Sequence, residues 1–167
     1  TTLPASERLF RLAHTPQEML KLKVADIEKT IYPVGFYRTK ARVILGICRD
    51  VLEKLSGRVP DDIDTLLTMK GVGRKTANLV LTEGFGLPGI CVDTHVHRIS
   101  NRLGYVRTKT PYDTEMMLRK KLPPKHWIDY NALLVTWGQN ICKPISPLCS
   151  RCWIRGFCSR KGVGKSR

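Results

Sequence analysis

Acidic residues run out early in this chain. After Asp129 there is no Asp or Glu, while Lys143, Arg151, Arg155, Arg160, Lys161, Lys165 and Arg167 all follow. Over the 167 residues, 29 Lys and Arg stand against 14 Asp and Glu, a formal net charge of +15. So large an imbalance argues against a surface that is basic by chance and for a polyanionic partner. Long apolar runs are also missing: none approaches the ~20 residues needed to cross a bilayer. The opening "TTLPASERLF" has neither the basic start nor the apolar stretch of a signal peptide. The expectation is a soluble intracellular protein, in the cytoplasm and nucleoid, or in the nucleus of a eukaryote. Convincing alternating strands, low-complexity tracts and clear tandem repeats are absent too. What remains is an all-α chain, long enough for one domain or two small ones sharing a cleft.

Helix signals fill the space. Thr15 to Glu18, "TPQE", reads as a capping box with Pro at the first helical position, and "TPYD" at Thr110 to Asp113 has the same form. Residues 36–55 place Val43, Ile44, Ile47, Val51, Leu52 and Leu55 on one helical face, with Cys48 beside the stripe as a core thiol. Further helices are predicted over 61–69, 74–84, 94–102 and 126–140. In the last, Trp127, Tyr130, Leu134 and Trp137 are expected in the core.

Four of the six cysteines crowd into "CKPISPLCSRCWIRGFC", residues 142–158, spaced C-x6-C-x2-C-x5-C. A reducing compartment argues against disulfides. Four thiolates suit tetrahedral zinc, and they suit an iron–sulfur cluster equally. One compact loop holding all four ligands leaves room for a larger inorganic core, but the chemistry of Cys142, Cys149, Cys152 and Cys158 leaves both metals open. Lys143, Arg151 and Arg155 lie among the ligands, where they would offset the negative charge of such a centre and present a cationic surface to phosphates. Trp153 and Phe157 are expected to shield the centre from water.

"LLTMKGVGRKTANLVL", residues 66–81, carries sharper chemistry. Two glycines between helices permit positive φ and close approach of the backbone to a ligand. The amides of Val72, Gly73 and Arg74 would face an anion at a helix start, the pattern of a helix-hairpin-helix (66–84) that grips a DNA phosphate without reading sequence. Lys75 follows in the first helical turn, where the helix dipole and partial burial would both disfavour its ammonium form and favour a nucleophilic amine. Asp93, in "CVDTHVHR", reads as an N-cap. The helix before it is about 16 Å long, and the connector can stretch about 26 Å. The chain can therefore turn back and bring Asp93 beside Lys75. His95 and His97 read as packing or phosphate-contact residues.

Taken together, "GVGRKTA", "VDTHVHR" and the four-cysteine spacing, in that order and with "YPVGFYRTKA" upstream, resemble the endonuclease III family of DNA glycosylases along essentially the whole chain. The resemblance implies a fold of two helical domains with the active site in the cleft between them, here 1–87 with the hairpin and 88–167 with the cysteines. It implies a [4Fe–4S] cluster on Cys142, Cys149, Cys152 and Cys158, Lys75 as nucleophile and Asp93 as catalytic carboxylate. Phe36 matches the residue that wedges into the DNA stack, against the plainer reading of a core aromatic. DNA contacts are expected from Phe36, Lys70, Gly71, Val72, Gly73, Arg74, Arg151 and Arg155. The partner would be double-stranded DNA carrying damaged bases or abasic sites, bound by a monomer without membrane contact. The activity would be excision of oxidised pyrimidines followed by lyase cleavage, in base excision repair.

Two features depart from the family pattern. Lys70 stands where a proline is usual, and is expected to add a phosphate contact. The sequence also begins past the N-terminal segment that supplies family members with a helix for the cluster domain and a glutamine that fills the gap left by the extruded base. A fragment, or a protein that works without the segment, is expected. The alternatives are a mismatch-specific adenine or thymine glycosylase, whose members commonly lack the lysine, and a non-catalytic DNA-binding module with a structural metal. An electron carrier would leave Lys75, Asp93 and the hairpin without a role.

Overall fold

A computed structural model describes residues 2–167, and its regular elements are helical throughout. Helices α1 (Thr2–Leu12), α2 (Pro16–Met19), α3 (Val24–Ile31), α4 (Tyr37–Lys54) and α5 (Ile63–Thr68) precede the hairpin turn. After it come α6 (Arg74–Leu79), α7 (Thr94–Leu103), α8 (Pro111–Lys121) and α9 (Trp127–Asn140). The chain divides into two compact units, Thr1–Val72 and Gly73–Arg167.

In the first unit, Ala5, Leu9 and Ala13 lie on one face of α1 and its extension, and bury against Ile27 and Ile31 of α3 and Ala41 of α4. Small residues at α-helical spacing let these helices approach closely. The capping signal at Thr15 holds, with one change. Thr15 Oγ1 accepts from the Glu18 amide at 3.2 Å, but the Glu18 carboxylate reaches past Thr15 to the His14 N–H at 2.7 Å. Cys48 is half-buried against this core, and burial raises its thiol pKa, as befits a packing residue. Gly71 has φ +88, and a Cβ there would stand 2.5 Å from Val43 Cγ1 of α4, so the fold itself requires glycine.

In the second unit the core is Ile90, Val92, Val96, Val106 and Leu118. Trp127, Tyr130 and Leu134 pack against it as expected. Trp137 instead turns to the cysteine loop and meets Trp153 edge-to-face, centroids 5.9 Å apart. The helix predicted over 74–84 changes pitch midway: α6 ends at Leu79 and continues as a π-helical turn, Val80–Gly84. Asn78, fully buried, explains the departure. Its Nδ2 donates to the Arg74 carbonyl, and its Oδ1 accepts from the Ile90 amide, so a side chain ties this helix to the returning connector. Helix α8 starts on a complete capping box, with Thr110 and Asp113 bonded reciprocally.

Helix α7 is fixed at both ends. Gly138 of α9 leaves room for the His95 ring, which a Cβ would strike. Gly104, at φ +77, closes the helix against Ser159 of the cysteine loop, where a Cβ would likewise collide.

Candidate active site and cysteine loop

The second unit holds an open cavity of about 450 Å³. Lys75 and Asp93 both line it, with Arg74, Thr94, Tyr112 and Glu115. Lys75 comes from the first turn of α6. Asp93 is the N-cap of α7, and its Oδ1 accepts from the amides of His95 (2.8 Å) and Val96 (2.9 Å). The capping role and the cavity role thus coexist, because one oxygen serves the helix. The connector turns back as its length allows: Ile90 bonds to Asn78, and the Cys91 sulfur lies 3.6 Å from the Lys75 carbonyl. Lys75 is exposed on the cavity wall, so the partial burial expected of it is not found. Cys91 is buried, and that burial pushes its thiol up to about 11 against the weaker opposing pull of Lys75. It stays protonated at neutral pH and is no rival nucleophile.

Beneath the cavity lies a carboxylate that the sequence did not single out. Glu115 is 2% exposed. Arg74 grips it with two bonds, Nε to Oε2 at 2.9 Å and Nη2 to Oε1 at 2.7 Å, and Arg119 adds Nε to Oε1 at 3.0 Å. Burial alone would raise the Glu115 pKa; the two guanidinium groups outweigh it and hold the carboxyl below its ordinary value. Arg119 also donates to Asn78 Oδ1 at 3.0 Å. Arg74, expected to meet DNA, therefore has its side chain on Glu115, with its guanidinium 5.2 Å from the Tyr112 ring centroid. His97 packs onto Thr114 at 2.7 Å, and His95 onto Arg98 at 3.0 Å, in line with packing roles.

The amides of the hairpin turn are not all turned outward. The Val72 N–H closes the turn onto the Met69 carbonyl at 3.0 Å. Gly73 is extended, with open space where its Cβ would be, so the protein itself does not demand glycine there. Lys70 is exposed. Phe36 is not a core aromatic: it is 85% exposed, in the left-handed region at φ 59, immediately before α4. A non-glycine residue at positive φ is strained, and a ring left in solvent buries no apolar surface to offset that strain.

Around the cysteines, all four sulfur-bearing side chains border one apolar space, walled by Ile99, Leu103, Trp137, Ile141, Leu148 and Val163. All four are free thiols. Among the described residues, no three His, Cys, Asp or Glu side chains are grouped closely enough to hold a metal ion. As a donor set the loop still fits a thiolate-ligated centre. Two sulfurs receive N–H donors, Cys142 from Arg102 Nη1 at 3.5 Å and Cys158 from the Arg160 amide at 3.4 Å. The cations that bind the loop carbonyls come from α7 rather than from within the loop, Arg102 buried and Arg98 half-buried. Arg102 also binds the carbonyls of Lys143 and Pro144, each at 2.7 Å, and Arg98 binds that of Cys142 at 2.8 Å. Their i, i+4 spacing in "HRISNR" was the available signal. Arg151 and Arg155 are exposed. The shielding expected of Trp153 and Phe157 is overturned: each is 88% exposed. Both neighbour a cysteine that faces inward, and adjacent side chains in such tight turns diverge.

Comparison with known proteins gives a consistent picture. Residues 1–124 match the model of the HhH-GPD superfamily of base excision DNA repair proteins. Endonuclease III of Thermotoga maritima is 49% identical over 169 residues, spanning 99% of this chain and 79% of its own length. The structure of a trapped endonuclease III–DNA covalent intermediate superimposes with a TM-score of 0.87 at 38% identity, covering 93% of this chain and 74% of that one. A thermostable thymine-DNA glycosylase reaches 0.80 at 25% identity, covering 93% and 74%. No helix among the described residues is long and apolar enough to cross a membrane.

Proposed function

Because this chain belongs to the endonuclease III family of the HhH-GPD superfamily, we propose that it is a bifunctional DNA glycosylase and abasic-site lyase acting on oxidised pyrimidines in duplex DNA. The observation that carries this reading is the one cavity shared by Lys75 and Asp93. The damaged nucleotide turns out of the duplex so that its sugar reaches the cavity. The unprotonated Lys75 amine attacks C1′. The C1′–N bond breaks, and its electron pair leaves with the base, which takes up a proton. Asp93, as carboxylate, stabilises the positive charge developing on the sugar and assists deprotonation of the attacking nitrogen. Opening of the sugar ring gives a Schiff base between Nζ and C1′. The imine acidifies the C2′ proton, whose removal expels the phosphate oxygen on the 3′ side and cuts the strand. Water then hydrolyses the imine and frees Lys75.

The same reading assigns Cys142, Cys149, Cys152 and Cys158 to a [4Fe–4S] cluster. The support is their spacing, their shared apolar space and the N–H donors aimed at two sulfurs. When bound, the cluster staples the loop, and no bond-breaking step is routed through it. DNA contacts are assigned to Phe36 as the wedge, to Lys70 and the turn Gly71, Val72, Gly73 with the Arg74 backbone at a phosphate, and to the exposed Arg151 and Arg155. The functional bodies are taken as 1–87, with the whole hairpin, and 88–167, with the cysteines.

Duplexes carrying thymine glycol, an abasic site, a thymine–guanine mismatch or no damage separate the readings. Cleavage of the first two, and borohydride trapping of a protein–DNA adduct that Lys75→Gln abolishes, is the expected result. Excision of mismatched thymine without strand cleavage would favour the thymine-DNA glycosylase reading. Binding without any excision would leave a DNA-binding module.

A further inference from the structure

The cavity has a floor, and the floor is charged. Glu115 is buried below Lys75 and Asp93 and makes three charge-assisted hydrogen bonds to two arginines. None of the proposed chemistry uses it. Its partners show where its influence goes. Arg74 is the first residue of α6 and the immediate neighbour of Lys75. Arg119 continues to Asn78 Oδ1, the same oxygen that takes the Ile90 amide at the start of the stretch of chain leading to Asp93. One network thus ties together the helix bearing the amine, the connector bearing the carboxylate, and α8 beneath both.

We propose that Glu115 is a positioning residue for the proposed lyase chemistry, setting the spacing between Lys75 and Asp93 through Arg74 and the Arg119–Asn78 link. Two-point pairing by a planar guanidinium fixes orientation as well as distance. The pair is short and its carboxylate is buried, so it holds α6 against rotation about its own axis. Such rotation would swing Lys75 along the cavity wall away from Asp93. The inference rests on the reading of Lys75 as nucleophile.

The test measures single-turnover adduct formation on an abasic-site duplex, trapped with borohydride, for the full chain and four variants. Glu115→Gln keeps the volume and one acceptor but loses the charge. It is expected to slow adduct formation by about 10- to 100-fold at saturating duplex, the scale for small misplacement of a reacting group, with duplex affinity changed less than about threefold. Glu115→Gln also weakens a buried ion pair, so Arg74→Gln and the double variant Arg74→Gln/Glu115→Gln are melted in parallel. The double variant removes both partners of the Arg74–Glu115 pair and leaves only Arg119 beside the uncharged amide, and its melting temperature is expected to recover in part relative to Glu115→Gln alone. Its adduct rate is expected to stay low. Recovery of rate together with melting temperature would overturn the proposal and leave Glu115 a purely structural ion. A wild-type adduct rate in Glu115→Gln would overturn it as well. The fourth variant, Lys75→Gln, separates the two ideas. Trapping that persists there sinks the nucleophile assignment, whereas trapping abolished there and unchanged in Glu115→Gln sinks only the positioning role.

Discussion

Two groups of arginines in the second unit are partnered in different ways. Arg74 and Arg119 share the carboxylate of Glu115 beneath the cavity. Arg98 and Arg102, on the later turns of α7, face the cysteine loop, where they find backbone carbonyls and one sulfur. No carboxylate is available to them from the loop, since no Asp or Glu follows Asp129. The first group has a carboxylate partner within the polypeptide, two guanidinium groups sharing its one negative charge. The second sets two cations against the carbonyls and one sulfur of the cysteine loop, a charge distribution suited to a negative thiolate-ligated centre. The difference teaches that arginine count alone does not distinguish a buried structural pair from a cradle for an anion; the partner atoms do.

Removing a partner breaks the comparison most directly. Glu115→Ala leaves two partly exposed arginines without their shared carboxylate, and is expected to cost roughly 3 kcal/mol in denaturant unfolding, the low end for a buried pair. Arg102→Met takes the donor from two carbonyls and one sulfur while nearly keeping the volume. A loss of roughly 2–3 kcal/mol is expected, seen as a melting temperature lower by about 5–10 °C and, under the proposed cluster assignment, as iron content falling in the purified protein. Full iron occupancy in that variant would show the cradle to be dispensable.

Acid sharpens the contrast. Glu115 has a folded-state pKa below its ordinary value. Its contribution is therefore present above the ordinary carboxylate range and is lost as pH falls through the depressed value. Glu115→Gln should flatten the fall of stability over that acidic window, whereas Arg102→Met should leave the slope there unchanged. Melts across the window in the two variants give the answer. The smallest effect on stability is expected from the exposed pair. Arg151→Glu with Arg155→Glu should shift folding by less than about 0.5 kcal/mol. The same double change should reduce the salt slope of duplex binding by about one unit for each phosphate that is no longer neutralised.

What the sequence disclosed was mostly local. A capping box, a helical stripe and a C-x2-C spacing lie within a few residues, and those at Thr110, along α4 and at the cysteines reappear in the structure. Helices α1 and α3 are not among those predicted from the sequence, although Ile27 and Ile31, four positions apart on the buried face of α3, were an available signal. Lys75 and Asp93 could be paired by a length argument, since the connector is long enough to turn back. Glu115 and Arg74 lie 41 residues apart, with no motif linking them, and only folding brings them together. The outward turn of Trp153 and Phe157 was likewise invisible, because composition does not say which way a side chain faces in a tight loop.

Helix α7 carries Asp93 at its cap and Arg102 near its end, nine positions on, so its rise separates the two by about 14 Å. That makes it a ruler between the cavity and the cysteine loop. A single inserted or deleted residue would advance one end by about 1.5 Å and turn it by about 100°, and no side-chain rearrangement could restore both ends at once. Length variation in this protein should therefore be refused within 94–103.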